Sequence, residues 1–489
     1  MSNNKKALNI WSGLFDKYRN ISEPVKASVW FTLCSIIQKG IGFLTTPLFT
    51  RFMTTEQFGK YSVYLSWNSI IIIFATLNLA GGVYNNALTK YKKEEQAVTS
   101  SFLGLSTFIT GILFAVYLIF RKQLNVLFGM DTALMIAMFI QLFLEPAYQF
   151  WSTKERYNYK YKKLVATTIF ITVGSPLLGI IAVLSTAYKT EARVIAYVAV
   201  VSVVSIVFYV KIFMEGRMFY NKAYWKYALC FNLPLVPHYL SQTLLNQADR
   251  LMIDKMVGSS EAAIYSIAYT VATIMQIVIT AINNSLLPYT YKSLEQKDIQ
   301  GLRKNSKSLL CLMVVASGLI IFLGPEIVYI VGGVQYMQAK WVIAPIALSV
   351  YFLFLYSVFA NIEFYYEKTK FMMIGSCCCA AVNIILNYIF IPIYGYYAAG
   401  YTTLVCYILF ALCHYLYYKK IIKEVEFYHG QIYDIRFIIL LSLGGLIAMV
   451  VLLFTYRNFI IRYTLFVLIF ILLFIKRKKI VQILKSLKL

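Results

Sequence analysis

Residues 51–62 read Arg-Phe-Met-Thr-Thr-Glu-Gln-Phe-Gly-Lys-Tyr-Ser, and residues 255–266 read Lys-Met-Val-Gly-Ser-Ser-Glu-Ala-Ala-Ile-Tyr-Ser. Laid over one another without gaps, each is the end of an apolar block, a short turn and the start of the next block. Tyr61-Ser62 and Tyr265-Ser266 fall at the same place. The offset from residue 51 to 255 is 204 residues, about the length of six apolar blocks with their loops. Identity between the two stretches is low, so chance agreement stands against a repeat. Read as a repeat, they predict two parallel six-helix halves, with two further helices at the C-terminal end. Halves repeated in the same orientation are related by an axis along the membrane normal.

Working outward, the blocks on either side are about 20 residues long, enough to cross roughly 30 Å of hydrocarbon at about 1.5 Å per residue. Strands of a barrel would show runs of about ten alternating residues instead. Of 489 residues, 60% are hydrophobic and only 14% charged, and the mean hydropathy is +0.67. A soluble chain of this size would need more polar surface to cover its core. The expected fold is therefore an all-α polytopic membrane protein with about fourteen transmembrane helices. Spans are predicted near 28–50, 60–82, 99–120, 131–151, 164–186, 193–213, 225–248, 261–289, 307–331, 339–360, 371–391, 396–418, 436–455 and 460–476.

Charge sets the orientation. With the N-terminus in the cytoplasm, the cytoplasmic segments with the span ends beside them carry 34 Lys and Arg and the outer loops with theirs 11, Lys39 being deep inside the first span. Such a bias places both termini in the cytoplasm. The net charge of +25 lies in these loops and tails, as anionic lipid accounts for, so no nucleic-acid partner is expected. The expected organisation is a cytoplasmic segment 1–27, a first bundle 28–213, a second bundle 225–418, two additional helices over 436–476 and a basic tail 477–489. In the leader, Leu8, Trp11, Leu14, Phe15 and Tyr18 recur at helical spacing, as in a helix lying on the membrane surface; a disordered leader is the alternative. The eight cysteines show no CxxC spacing and are read as packing, with no metal site expected.

The segment Thr45-Thr-Pro-Leu-Phe-Thr-Arg-Phe-Met-Thr-Thr-Glu-Gln-Phe-Gly-Lys-Tyr61, the segment Asn246-Gln-Ala-Asp-Arg-Leu-Met-Ile253 and the fourteen-span layout carry a family resemblance. The chain resembles, over nearly its whole length, the polysaccharide (O-antigen and capsule repeat-unit) flippases of the multidrug/oligosaccharidyl-lipid/polysaccharide exporter superfamily. The resemblance implies two six-helix bundles around a central cavity and alternating access in a bacterial cytoplasmic membrane. The implied cargo is an undecaprenyl-diphosphate-linked oligosaccharide, carried from the cytoplasmic to the outer leaflet for O-antigen, capsule or exopolysaccharide synthesis. Membrane lipids, polysaccharide polymerase and chain-length machinery are implied partners. No cofactor is implied, and a proton or sodium gradient is the implied drive.

Polar side chains at membrane depth are costly unless they face protein or water, so they mark candidate sites. The first span carries Gln38 and Lys39 beside Gly40 and Gly42. Lys39 is the most central cation in the chain, a counter-charge for a diphosphate or, equally, a snorkelling or paired lysine. The seventh span combines Asn232, Pro234, Pro237, His238, Gln242, Asn246, Asp249 and Arg250. Its two prolines are hinge candidates. Asp249 and Arg250 are either an ion pair with each other or a capping pair, or else Arg250 meets a sugar phosphate; Gln242, Asn246, Asp249 and Asp254 form a polar stripe. Asn68 and Asn78 in the second span, Asn283 and Asn284 in the eighth, and Asn383 and Asn387 in the eleventh are cavity candidates, or else bonds between helices. Glu145, with Gln141 in the fourth span, is a coupling candidate or a structural partner. Glu363 and Glu367 are expected in solvent at the mouth of the tenth span, and His414 is expected to be packed or paired.

Every loop is too short for a catalytic domain, and no HExxH, phosphate-loop or dinucleotide-binding signature occurs in a suitable setting, so an enzyme is not expected. A cation-coupled multidrug or small-molecule antiporter of the same fold is the alternative. It would carry tight acidic clusters in its spans, whereas basic and amide groups prevail here.

Overall fold

The computed structural model describes residues 22–368, 370–425, 431–464 and 467. The expected surface helix of the leader, the basic tail and most of the fourteenth span lie outside the described residues. Among the described residues there is no strand. The helices run α1 Glu23–Phe52, α2 Thr55–Thr76, α3 Tyr84–Lys90, α4 Glu95–Ile119, α5 Arg121–Phe128 and α6 Thr132–Tyr157. They continue as α7 Tyr161–Ser185, α8 Lys189–Gly216, α9 Lys222–Asn232, α10 Val236–Met256, α11 Ser259–Glu295 and α12 Ile299–Phe322. The series closes with α13 Gly324–Gly332, α14 Lys340–Tyr365, α15 Lys370–Tyr394, α16 Tyr397–Glu424 and α17 Ile435–Thr455.

Among the described residues, eleven helices are long and apolar enough to cross a membrane. The chain is an all-α, multi-pass membrane protein. Two expected spans stand outside that set. The second, α2, is long enough but carries Lys60, Asn68 and several hydroxyls among its apolar residues. It ends at Thr76 rather than 82, because Leu77 and Asn78 turn into the left-handed region at φ 49° and 51°, which asparagine tolerates better than most residues. The seventh is broken into α9, a 3-10 turn at Leu233–Leu235 and α10. Pro234 and Pro237 explain the break, since each lacks an amide hydrogen and crowds the preceding turn.

Caps fix where other helices begin. Asp131 accepts a hydrogen bond from the Leu134 amide at 2.8 Å, and Asn221 accepts from Ala223 and Tyr224 at 2.9 and 3.2 Å. Asp298 accepts from Gly301 at 2.8 Å. Each satisfies an amide that the first turn leaves without a helical partner. The succession long, short, long, long, long from α4 to α8 recurs from α12 to α16, and Glu95 and Ile299, where the two series start, are again 204 residues apart.

The helices form two compact units. The first takes residues up to Thr45 and Ile71–Val236; the second takes Thr46–Ile70 and Pro237 onward. The division thus falls within α1, within α2 and at the proline break. In the first unit α6 packs on α8, α8 on α7, and α4 on both α6 and α8. Its core includes Tyr84, Phe102 and Phe150, with the Tyr84 and Phe150 rings edge to face at 5.0 Å.

In the second unit α14 is the central helix, packed against α16, α11, α12 and α17. It is apolar around its whole circumference, as a helix enclosed by others should be. Residues 51–62 and 255–266 touch here. Thr55 donates to Ser260 at 3.1 Å, and a Cβ on Gly59 would lie only 1.8 Å from the Ser259 carbonyl oxygen. Glycine is required at that crossing.

Candidate functional site, a buried carboxylate shared by four helices

Asp249 lies in α10 and is 1% exposed. Its Oδ1 accepts a hydrogen bond from Asn387 Nδ2 of α15 at 2.6 Å. Its Oδ2 accepts from Thr403 Oγ1 of α16 at 2.8 Å and from the Tyr265 hydroxyl of α11. The amides and hydroxyls behind these are themselves bonded. Asn387 Nδ2 also reaches Asn383 Oδ1 at 3.3 Å, Asn383 Nδ2 reaches Thr403 Oγ1 at 3.4 Å, and Thr402 Oγ1 donates to Asn387 Oδ1. Asn383, Asn387, Thr402, Thr403 and Tyr265 are all buried.

Local sequence explains how four helices reach one carboxylate. Asn383 and Asn387 are one turn apart on α15, so both amides project from one face. Gly400 lets α16 press on α14, where a Cβ would stand 2.9 Å from Val342 Cγ1. The small start of α16, Ala398-Ala399-Gly400, therefore brings the adjacent Thr402 and Thr403 into the interior.

Among the described residues no Lys or Arg pairs with Asp249. Each of these hydrogen bonds to it comes from a neutral donor, and the Arg250 charge reaches it only through space. An ionised carboxylate so enclosed is costly without a compensating positive charge. The site offers a carboxylate and several neutral oxygens, the donor set that a hard cation or a proton can use.

Next to Asp249 on α10, a second polar group surrounds Arg250. Its Nη1 donates to Gln247 Oε1 at 2.5 Å, and Ser66 of α2 donates to the same oxygen at 3.0 Å. The guanidinium stacks 4.5 Å above the Tyr269 ring, and the Tyr269 hydroxyl donates to Asn246 Oδ1 at 2.5 Å. The expected ion pair between Asp249 and Arg250 is not made. Adjacent residues on a helix point about 100° apart, and each has found its own partners.

The remaining expected residues are dispersed. Lys39 and Gln38 are exposed on α1 in the first unit, and Lys39 has no carboxylate partner among the described residues. Asn232 is fully buried in the first unit and acts as a staple: its Oδ1 accepts from the Val83 amide at 3.0 Å and its Nδ2 donates to the Leu77 carbonyl at 2.7 Å. Asn78 lies in the turn that Asn232 holds, not in a span. Glu145 accepts from Gln141 at 2.6 Å and from Gln149 at 3.3 Å, both on its own helix.

In the second unit His238 Nδ1 lies 3.2 Å from Ser376 Oγ. Gln242 accepts at its carbonyl from Asn246, and Asn283 accepts from Ser357 at 3.2 Å. Asn284 is exposed, and Asn68 is buried with its Oδ1 unpartnered. Asp254 accepts from Ser259 at the α10–α11 turn. Glu363, expected in solvent, is fully buried with His414, their Oε1 and Nδ1 atoms 2.6 Å apart. The reason is that Glu363 sits on the enclosed helix α14, whose burial continues to its last turn.

Asp249, Asn383 and Asn387 were marked by their polarity in apolar runs. Thr402 and Thr403 were missed, although two adjacent hydroxyls beside Ala-Ala-Gly are the same kind of signal. Tyr265 drew notice only as part of the repeat.

Residues 25–294, more than half of the chain, match the family model described as polysaccharide biosynthesis protein, and residues 234–389 match the MatE model. A protein of the Lsg locus of Haemophilus influenzae is 24% identical over 363 residues, covering 72% of this chain and 87% of that protein. Among solved structures the fold is similar to lipid II flippase MurJ in an inward closed conformation. The TM-score is 0.71 at 15% identity, over 92% of this chain and 100% of that one. It is also similar to a multidrug resistance MATE family transporter in an inward-facing conformation, with a TM-score of 0.59 at 12% identity over 82% of this chain and 96% of that one. The chain belongs to the polysaccharide biosynthesis protein family of the multidrug/oligosaccharidyl-lipid/polysaccharide exporter superfamily, and it is a membrane transporter.

Proposed function

We propose that this transporter carries an undecaprenyl-diphosphate-linked oligosaccharide repeat unit from the cytoplasmic to the outer leaflet by alternating access, and that a proton or sodium ion entering at Asp249 drives the cycle. The product would feed O-antigen, capsule or exopolysaccharide synthesis beside the polymerase and chain-length machinery. The observation that carries the reading is the shared carboxylate. Asp249 is bonded to three other helices by neutral donors only, so loading or removing one positive charge changes how α10, α11, α15 and α16 hold together. One carboxylate among neutral oxygens suits a singly charged ion, whose charge it balances.

The recurring helix succession at 204 residues supports a layout of two six-helix bundles plus two helices, fourteen in all, while the Lys and Arg bias supports both termini in the cytoplasm and the family supports a bacterial cytoplasmic membrane. Lys39, exposed on α1 without a carboxylate partner, supports a role for that side chain in holding the diphosphate.

The test is the leaflet distribution of undecaprenyl-linked oligosaccharide in cells depleted of the protein and resupplied with variants. Accumulation on the cytoplasmic face is expected, reversed by the wild type and not by Asp249→Asn or Lys39→Ala at matched membrane abundance. A second reading, a cation-coupled multidrug antiporter, draws on the MatE match, which contains Asp249 and both Asn383 and Asn387. Unchanged leaflet distribution with lowered resistance to cationic compounds would favour it.

A further inference from the structure

Between α15 and α16 lies a side groove of about 500 Å³. Leu386, Phe390 and Tyr394 form one wall, and Tyr401, Thr402 and Val405 the other. Its mouth opens onto exposed apolar side chains that recur each turn, Ile385, Ile389 and Ile393 on α15 and Leu409 and Leu412 on α16. Both helices are long and apolar enough to cross a membrane, so this stripe is a surface that meets hydrocarbon. The groove is continuous with it. At the groove's back, Thr402 belongs also to the polar cluster, donating to Asn387 Oδ1 while Asn387 donates to Asp249.

We propose that the groove seats one acyl chain of a bilayer phospholipid, and that the seated chain tightens the Asp249 cluster's hold on its cation. No charged or amide side chain lines the groove, whose only polar groups are the hydroxyls of Tyr394, Tyr397, Tyr401 and Thr402, so no positive charge is there to hold a diphosphate. What the walls recognise is a chain. A straight acyl chain fits a slot between two helices better than a polyisoprenyl chain with a methyl branch on every repeat. With the chain in place, Thr402 is packed and its hydroxyl stays on Asn387. Without it, the side chain is free to turn wholly to the Ala399 carbonyl, to which it also donates at 3.0 Å, so Asn387 loosens and Asp249 loses a fixed neighbour. By linkage, cation and chain then strengthen each other by the same factor. This part rests on the cation reading of Asp249.

The experiment uses the full chain in vesicles of phosphatidylethanolamine and phosphatidylglycerol containing a phosphatidylglycerol with a photoreactive acyl chain. Label is expected to concentrate on the peptide from residue 386 to 405. Val405→Phe, or Leu386→Phe as a second filling variant, should lower it by at least about fivefold, while Leu409→Phe on the open stripe should not. Sodium or acid should raise the label about threefold or more in the wild type. Thr402→Val should keep the label and lose that response, and Asp249→Asn should do the same. Label spread evenly along the stripe, or unchanged by both filling variants, overturns the groove. Displacement of the label by an equimolar polyisoprenyl phosphate overturns the acyl assignment. Groove labelling indifferent to sodium, acid and Asp249→Asn overturns the linkage. Labelling needs no transport, so failure here is separate from failure of the flippase reading.

Discussion

Glu145 in the first unit and Asp249 in the second are carboxylates satisfied in opposite ways. Both partners of Glu145, Gln141 and Gln149, lie one turn away on α6. The partners of Asp249 come from α11, α15 and α16. The first arrangement survives any movement of α6 as a rigid rod. The second exists only while four helices keep their places. A carboxylate can therefore sit at membrane depth as a passenger of one helix or as the knot between several, and only the knot can couple its charge to helix rearrangement.

The largest effect should come from cutting the knot. Asp249→Ala leaves the Tyr265 hydroxyl, the Asn387 amide and the Thr403 hydroxyl buried without their acceptor, a loss of about 3–5 kcal/mol. Glu145→Ala frees two amides on one helix face and should cost about 1 kcal/mol. Thermal unfolding of the purified protein measures both, and equal losses would erase the distinction between them. Next comes Gly59→Ala, which drives a methyl into the Ser259 carbonyl where α2 meets α11. Separating two backbones should cost about 2–3 kcal/mol. That loss should leave the cation dependence of the surviving transport unchanged, because Gly59 does not touch the carboxylate; a changed cation dependence would extend the knot to this crossing.

This contrast also explains how much the amino-acid sequence discloses. Apolar blocks repeat along one helix, so the all-α membrane fold is legible, and so is the proline break at Pro234 and Pro237. Asn383 and Asn387 are legible for the same reason, being one turn apart in an apolar run. Partners brought together by tertiary packing leave no such period. Thr403 lies 154 residues from Asp249, and nothing local to either announces the bond. Glu363 fails more sharply. Judged by its place near a span's end it belongs in water, yet α14 is enclosed to that end and gives it His414. Asn232 shows a different limit. Its polarity suggests a cavity, and no local signal announces that both ends of its amide bond the main chain of the 77–83 turn.

A finer cut sharpens the comparison. Thr403→Val keeps the shape of the side chain and removes one of the three donors to Asp249. Losing one hydrogen bond to a charged group should weaken cation-dependent transport about tenfold, roughly 1.4 kcal/mol. Gln149→Ala in the first unit should change it by less than about twofold, because Gln141 still bonds Glu145 on the same helix. Initial rates against sodium concentration and pH measure the pair, and equal shifts would mean that Glu145 also reports helix arrangement.

The smallest effect belongs to a carboxylate outside the spans. Asp434 caps α17, accepting from the Phe437 amide at 3.2 Å, and its Oδ2 lies 2.6 Å from Lys307 Nζ. Lys307, above all through this hydrogen bond, holds the Asp434 carboxyl below the usual carboxylate range. A lowered folded value means that the contribution is full above the unfolded value of about 3.9 and fades as pH falls through the folded one. From pH 5 upward it should be constant. Because the pair is only half-buried, Asp434→Asn should move the unfolding midpoint by less than about 2 °C at neutral pH, and that small shift should shrink further in about 1 M salt. The loss from Asp249→Ala should persist in the same salt, since buried groups are screened far less. If Asp249→Ala instead lost its effect in salt, water and ions would already reach Asp249, and an enclosed carboxylate waiting for one cation would no longer describe it.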